Sequence, residues 1–534
     1  MITPATARPE PEIFADLQAL CTSPGYIHAI AYLSWRDNLI RYDGRKLVAK
    51  DLHYQHSHDK LIRTEIATLI GLLTQKPLDL ALPEPMLLNN YVERTEALLR
   101  ELHFSMQKPW FENWDLKAGM SPDQDPFANA ASMREPIFYG GESAYPFQYR
   151  DFARLKYRAD NHWLETNRGF RIEEAVQIVD ALGKLQERRH FEYARHLESI
   201  SPELWTMLPS FEFTAQEVAD CSGIAIGTVE KFLDAFTCRS DQSKLSFATL
   251  SDFNVTNAFP VLCLKEGSYV LLQYYSLLEA LYESPFFWMA ADKAYSATAL
   301  TNRGSFTETF VAQRLEAVFG EGRVLRNVDV YRGKDRIGEA DALVLFGDRA
   351  IVVQAKSKRL TIEARKGNDL QLKDDFKKAI QEAYDQAVVC ANALTSDGSR
   401  FVDRSGVEVS INEKPRIIFP ICIVSDRYPA LAFQSRQFLK TTVAASLQAP
   451  LVTDIFAFDA ISEMLNTSLQ FINYLTLRAR FSDKLMVPNE LTTLGFHLTQ
   501  NLWIENKLDF VSLDETLASV SGRPPGSAGV AVAV

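Results

Sequence analysis

Gly338-Glu339-Ala340-Asp341-Ala342-Leu343-Val344-Leu345-Phe346-Gly347-Asp348-Arg349-Ala350-Ile351-Val352-Val353-Gln354-Ala355-Lys356-Ser357-Lys358 is the stretch on which the fold turns. Two short apolar runs flank a Gly-Asp dipeptide, the pattern of a β-hairpin whose strands are largely buried. Asp341 opens the first run. Gln354 and Lys356 close the second on one face, because side chains two apart in a strand point the same way. An amide or ammonium without a partner in such a strand costs on the order of 1–3 kcal/mol or more. A divalent cation offsets that cost: Asp341 supplies a carboxylate, Gln354 an amide oxygen and Ala355 its carbonyl, an all-oxygen set suited to Mg²⁺ or Mn²⁺. Lys356 beside such an ion can stabilise a phosphate or polarise an attacking water. The plainer alternative makes Asp341 a strand-entry residue and Lys356 the solvated end of an edge strand.

At these residues the chain resembles the PD-(D/E)XK nuclease superfamily, and within it the Mrr-like, type IV restriction branch, where the Glu of the E-x-K element is often Gln. The resemblance covers about Ser305 to Pro429: Asp341, twelve residues, then Gln354-Ala355-Lys356. It implies an α/β restriction-endonuclease-like domain with a mixed sheet, embedded in a largely α-helical multidomain chain. It also implies a metal-binding or supporting Glu on a helix before the hairpin, and Glu308 matches that element. Val311, Ala312 and Leu315 follow Glu308 at i+3, i+4 and i+7, which puts it on the apolar, inward face of its helix. Ser305-Phe306-Thr307-Glu308 also reads as a capping box, a purely local role for the same residue. Gln354 in place of Glu lowers the negative charge of the site, and Glu339, two residues before Asp341 on the same face, can stand in for it.

The chain has 534 residues, 47% hydrophobic and 23% charged, which suits a soluble globular protein of about three domains. No apolar run approaches the ~20 residues that span a bilayer, and Met1-Ile2-Thr3-Pro4 begins no leader, so a cytoplasmic location without membrane contact is expected. The six cysteines form no C-x-x-C pair, so neither a zinc site nor a disulfide framework is indicated. A net charge of −11 argues against coating nucleic acid over the whole surface, so a polyanion must be met locally. Between Lys356 and Lys378 eight basic residues face four acidic ones, an excess that can follow a phosphate backbone or simply solvate a helix and loop.

Taken in order, residues 1–115 read as a helical N-terminal region and 116–205 as an irregular, Pro- and Gly-rich segment followed by helices. His53, His56 and His58 crowd together but match no ligand spacing. The aromatics Tyr139, Tyr145, Phe147, Tyr149, Phe152, Tyr157 and Trp163 suit a core better than base stacking. Residues 206–300 read as winged-helix-like: Thr214 caps a helix, Gly223 permits a turn, Ile226-Gly227-Thr228-Val229 starts a second helix, and Val261–Leu272 forms a hairpin wing. Lys231 is the lone basic residue on that second helix, beside Glu230 and Asp234, so a structural or protein-contact role is favoured over reading the major groove. The nuclease-like domain is expected at 301–430, with a first strand at Arg323–Tyr331, a helix at Lys373–Leu394 and a buried strand at Arg416–Val424. Gln381, Tyr384 and Gln386 lie on that helix as surface or supporting residues. A helical region at 431–518 and a flexible tail at 519–534 complete the chain.

The expected function is a Mg²⁺- or Mn²⁺-dependent endonuclease in which Asp341, Gln354, Lys356 and Glu308 are catalytic, and Asp341, Gln354, Ala355 and Glu308 hold the metal. The resemblance implies double-stranded DNA as substrate and, by analogy with bacterial defence nucleases, helical flanks that bind a protein partner or a second copy. No P-loop is present. Two alternatives stay open: a nucleic-acid-binding scaffold that keeps the fold with a weakened site, and a transcription regulator built on the helix-turn-helix.

Overall fold

The computed structural model describes residues 3–4, 6–38, 60–113, 130–140, 144–239, 247–265, 267–357, 369–411, 413–505, 507–508 and 511–513. His53, His56 and His58, the Gly119–Pro126 run, residues 358–368 of the basic stretch and the tail at 519–534 lie outside them. The chain forms two compact units, Met1–Pro126 with Pro146–Asn302, and Phe127–Tyr145 with Arg303–Val534.

The first unit is mainly helical, with the long helices Pro85–Asn113 and Ile172–Leu197. Of the aromatics expected in a core, Tyr149, Phe152, Tyr157 and Trp163 are buried and Phe147 is exposed; Tyr149 meets Tyr275 edge-on at 5.5 Å. The helix-turn-helix is present as helices Ala215–Ser222 and Ile226–Phe236. Thr214 and Glu217 exchange side-chain and backbone hydrogen bonds across the first turn, and Gly223 takes the left-handed conformation (φ 71°) that ends the first helix. Val261–Lys265 and Ser268–Val270 form the antiparallel hairpin. The Lys231 side chain lies so close against Gly169 that no Cβ would fit there. The one basic residue of the second helix thus touches Gly169 of its own unit and is otherwise exposed.

In the second unit the main elements, in chain order, are α1 (Ala130–Tyr139), α2 (Ser296–Phe319, of which this unit holds the part from Arg303), β1 (Val324–Arg332), β2 (Asp335–Phe346), β3 (Arg349–Lys356), α3 (Asp369–Phe376), α4 (Glu382–Thr395), β4 (Ser399–Val402), β5 (Glu408–Val409), β6 (Ile417–Val424), α5 (Leu431–Phe438), β7 (Leu451–Asp454), α6 (Ile455–Met464), α7 (Ser468–Arg480) and α8 (Glu490–Gln500), with a short parallel pair of Leu485–Met486 and Val511–Ser512. The seven-stranded sheet runs β7-β6-β3-β2-β1-β4-β5. β3, β6 and β7 are parallel and the remaining pairs antiparallel, so this is the expected mixed sheet covered by helices. The β2–β3 hairpin has a two-residue loop, Phe346 pairing with Arg349, and Gly347 at its first position takes φ 59°, the positive value that a type II′ turn requires.

Pro420 is tolerated inside β6 for a positional reason. The backbone of Ile418 bonds to Ser446 and Gln448, so Pro420, two residues on, turns its missing N–H to the same side, and β7 pairs only from Ile421 onward. On one sheet face Ala387, Cys390, Ala391 and Leu394 of α4 pack on Val328, Val330, Leu343, Val352 and Ile418. Each fully buried Val or Leu contributes roughly 1.5–3 kcal/mol, and this seat fixes α4 over β3. On the other face Phe319 of α2 meets Phe346 at 5.9 Å and Phe471 of α7 at 5.6 Å.

Four local expectations change. α2 begins at Ser296, so Ser305 is no N-cap and Glu308 sits mid-helix. The Lys373–Leu394 helix is interrupted by a π-turn at Lys377–Gln381. Ala130–Tyr139 is helical within a stretch read as irregular. Leu451–Asp454 is a strand in a stretch read as helical, because four residues buried on both faces carry no periodicity to read.

Candidate active site

Strands β2 and β3 part company beyond the pair Ala342–Val353. Two side chains bridge the split reciprocally. Asp341 of β2 accepts a hydrogen bond from the Ala355 amide at Oδ2, 2.7 Å away, and Gln354 of β3 donates its amide to the Glu339 carbonyl. Gln354 is 1% exposed, and this bond is what its burial requires. The fold therefore accounts for the amide nitrogen without a ligand.

Asp341 is only partly relieved in this way. Its pKa is pushed up to about 6 in all: burial is the main cause, Glu308 and Glu339 act in the same direction, and the Ala355 N–H and the Lys356 ammonium oppose them. Two carboxylates, Asp341 and Glu308, thus act on each other near one ammonium. Lys356 Nζ donates to Gln386 Oε1 of α4 at 2.7 Å, so the supporting residue on that helix is Gln386. Gln381 instead exchanges two hydrogen bonds with the Lys440 backbone, and the Tyr384 hydroxyl accepts from the Thr442 amide.

Glu308 is held from β1, where Asn327 Nδ2 donates to Glu308 Oε2 at 3.1 Å. Asn327 was missed in the sequence reading; its only signal there is an Asn inside a strand-forming run. Glu339, the alternative to Asp341, is committed elsewhere: Arg336 bridges it to Asp329 on the exposed side of the hairpin. Beyond β3, the Lys356 carbonyl accepts from Ser425 N at 3.0 Å, and the adjacent Asp426 forms a buried ion pair with Arg303 of α2. In the basic stretch, Lys378 pairs with Asp374 at 2.7 Å.

Among the described residues no three His, Cys, Asp or Glu side chains gather as a metal cage. The candidate donor set, the carboxylates of Asp341 and Glu308, the Gln354 amide oxygen and the Ala355 carbonyl, is all oxygen. It suits a hard cation such as Mg²⁺, which keeps several waters and needs only one or two carboxylates. An enclosed carboxylate beside a second one is the environment that a divalent cation relieves.

Residues 303–420 match the nuclease-related domain family (NERD), which supports a relationship to nucleases of the PD-(D/E)XK kind for that segment. No curated protein and no solved structure gives a match to the chain. The matched segment contains Glu308, Asn327, Asp341, Gln354, Lys356 and Gln386. Among the described residues no helix is long and apolar enough to cross a membrane.

Proposed function

We propose that this protein is a metal-dependent phosphodiesterase that cleaves nucleic acid, with double-stranded DNA as substrate. The observation that carries the proposal is Asp341: a carboxylate pushed up to about 6 by burial, facing Glu308 and Lys356 within a nuclease-related segment. Asp341 and Glu308, with the oxygens of Gln354 and Ala355, would hold Mg²⁺ or Mn²⁺. When bound, such an ion lowers the pKa of a coordinated water and neutralises charge on a phosphate. Gln386 holds the Lys356 side chain at the end of β3, so that its ammonium meets a phosphate from a set position. Within this reading the chain belongs with bacterial defence nucleases of restriction type, an analogy of fold and segment alone.

Plasmid DNA incubated with the full chain and Mg²⁺ tests the proposal. The wild type is expected to nick or linearise it and Lys356→Ala to leave it supercoiled; equal nicking by both would refute the assignment. A second reading, a scaffold that keeps the fold without cleavage, draws on Gln354, whose amide is engaged with the Glu339 carbonyl. Retention of DNA by a wild type that never cuts it, with any divalent cation, favours that reading.

A further inference from the structure

Arg326 and Asn327 are neighbours in β1, and a regular strand would send them to opposite faces. Both reach the same helix, α2. Arg326 makes a two-pronged ion pair with Glu316, Nε to Oε1 at 2.7 Å and Nη2 to Oε2 at 2.5 Å, while Asn327 Nδ2 donates to Glu308 Oε2 at 3.1 Å. The backbone explains how. Asn327 has φ 46°, a left-handed conformation inside a strand, and it turns its side chain back to the helix that Arg326 already grips. The pairs on either side, Arg326 with Ala342 and Val328 with Ala340, put Asn327 across from Asp341. Asn is among the few non-glycine residues that adopt this conformation readily, and its amide is short and can donate.

A left-handed residue inside a strand persists where the surrounding structure demands it, and sparsely populated backbone conformations gather at functional sites. We propose that Asn327 is a positioning residue: its left-handed backbone aims the amide at Glu308 and holds that carboxylate towards Asp341, so that the two act on one cation. This inference rests on the metal-dependent reading above. It assigns to Asn327 no contact with substrate, only the orientation of Glu308.

The test is titration of the metal-free full chain with MnCl₂ by calorimetry, run well below each variant's melting midpoint, for wild type, Asn327→Gly, Glu308→Gln and the double variant. Asn327→Gly keeps access to the left-handed backbone and removes the amide. It is expected to melt close to wild type and to bind Mn²⁺ about tenfold more weakly, the usual scale for losing a group that orients a ligand. In the Glu308→Gln background the same change is expected to have no further effect on Mn²⁺ affinity, because Asn327 acts through Glu308. Asn327→Ser, whose hydroxyl is too short to reach Glu308, should weaken binding likewise and serves if the glycine variant unfolds. Wild-type affinity in Asn327→Gly, or an undiminished effect in the Glu308→Gln background, overturns the inference alone. A wild type that binds no Mn²⁺ overturns the metal-dependent reading together with it.

Discussion

Lys356 Nζ is hydrogen-bonded to Gln386 Oε1 at 2.7 Å, which ties the last residue of β3 to the helix packed across it. The ammonium thus has a set direction only while α4 keeps its seat on the sheet. Gln386→Ala removes the tether and leaves the charge. Cleavage is expected to slow by about threefold to tenfold, the scale of a loosened positioning contact, with Mn²⁺ affinity unchanged. Rates from initial nicking and affinities from calorimetry check the pair of outcomes; weaker metal binding would place Gln386 in another role.

Asp341 offers a test that needs no activity. Its folded pKa of about 6 exceeds the ordinary 3.8, so the fold prefers the protonated form, and the contribution of Asp341 to stability declines as pH rises from about 4 through 6. Asp341→Asn keeps an acceptor for the Ala355 N–H and removes the charge. Without metal it should be more stable than wild type at pH 8, by on the order of 1–3 kcal/mol, and the advantage should shrink as pH falls through 6. Mn²⁺ binding and cleavage are expected to be lost. Denaturant unfolding at pH 8 and pH 5 decides it, and an equal difference at both would show that the carboxylate is not the cause.

Glu339 separates the two acidic candidates on the hairpin. Its ion pair with Arg336 is half-exposed and of the kind worth at most about 1 kcal/mol. Glu339→Gln is expected to cleave within about twofold of wild type and to unfold at nearly the same denaturant concentration. Loss of cleavage here, with Asp341→Asn active, would exchange the roles of the two residues.

In the first unit His190 carries a pH dependence of its own. It is buried, with Nδ1 2.8 Å from Ser210 Oγ and its ring 4.4 Å from Phe211, and burial lowers its pKa from 6.5 to about 4. A depressed pKa means that the fold prefers the neutral ring. The stability it confers is whole above pH 6.5 and is lost as pH falls towards 4, at most about 3 kcal/mol. His190→Gln should therefore narrow the gap between melting temperatures at pH 7 and pH 4.5, and an unchanged gap would exclude His190 as its source.

How much of this was legible beforehand differs residue by residue. The β2–β3 hairpin was readable because Gly347-Asp348 between apolar runs is a local signal, and a type II′ turn needs little beyond its own two residues. Thr214, Glu217 and Gly223 were readable for the same reason. The partnership of Glu308 was not, since Ser305-Phe306-Thr307-Glu308 resembles a helix start and only the continuation of α2 back to Ser296 shows that it is not one. Asn327 stayed hidden because a left-handed residue in a strand is set by neighbours distant in sequence, Glu308 on one side and Asp341 across the ladder. The strand Leu451–Asp454 is too short and too enclosed to have a period.

By itself, the order of residues determined the secondary elements with local signals, the acidic character of the chain and the presence of polar side chains in strands that should have none. The tertiary structure alone decided what those side chains meet. Gln354 is satisfied by the Glu339 carbonyl across a split ladder, Glu339 is drawn off by Arg336, and Asp341 is left enclosed beside Glu308 with its charge only partly offset. The physical reason is range: turns and caps form within a few residues, whereas the balance of charge and burial at Asp341 is summed over groups that only the folded sheet brings together.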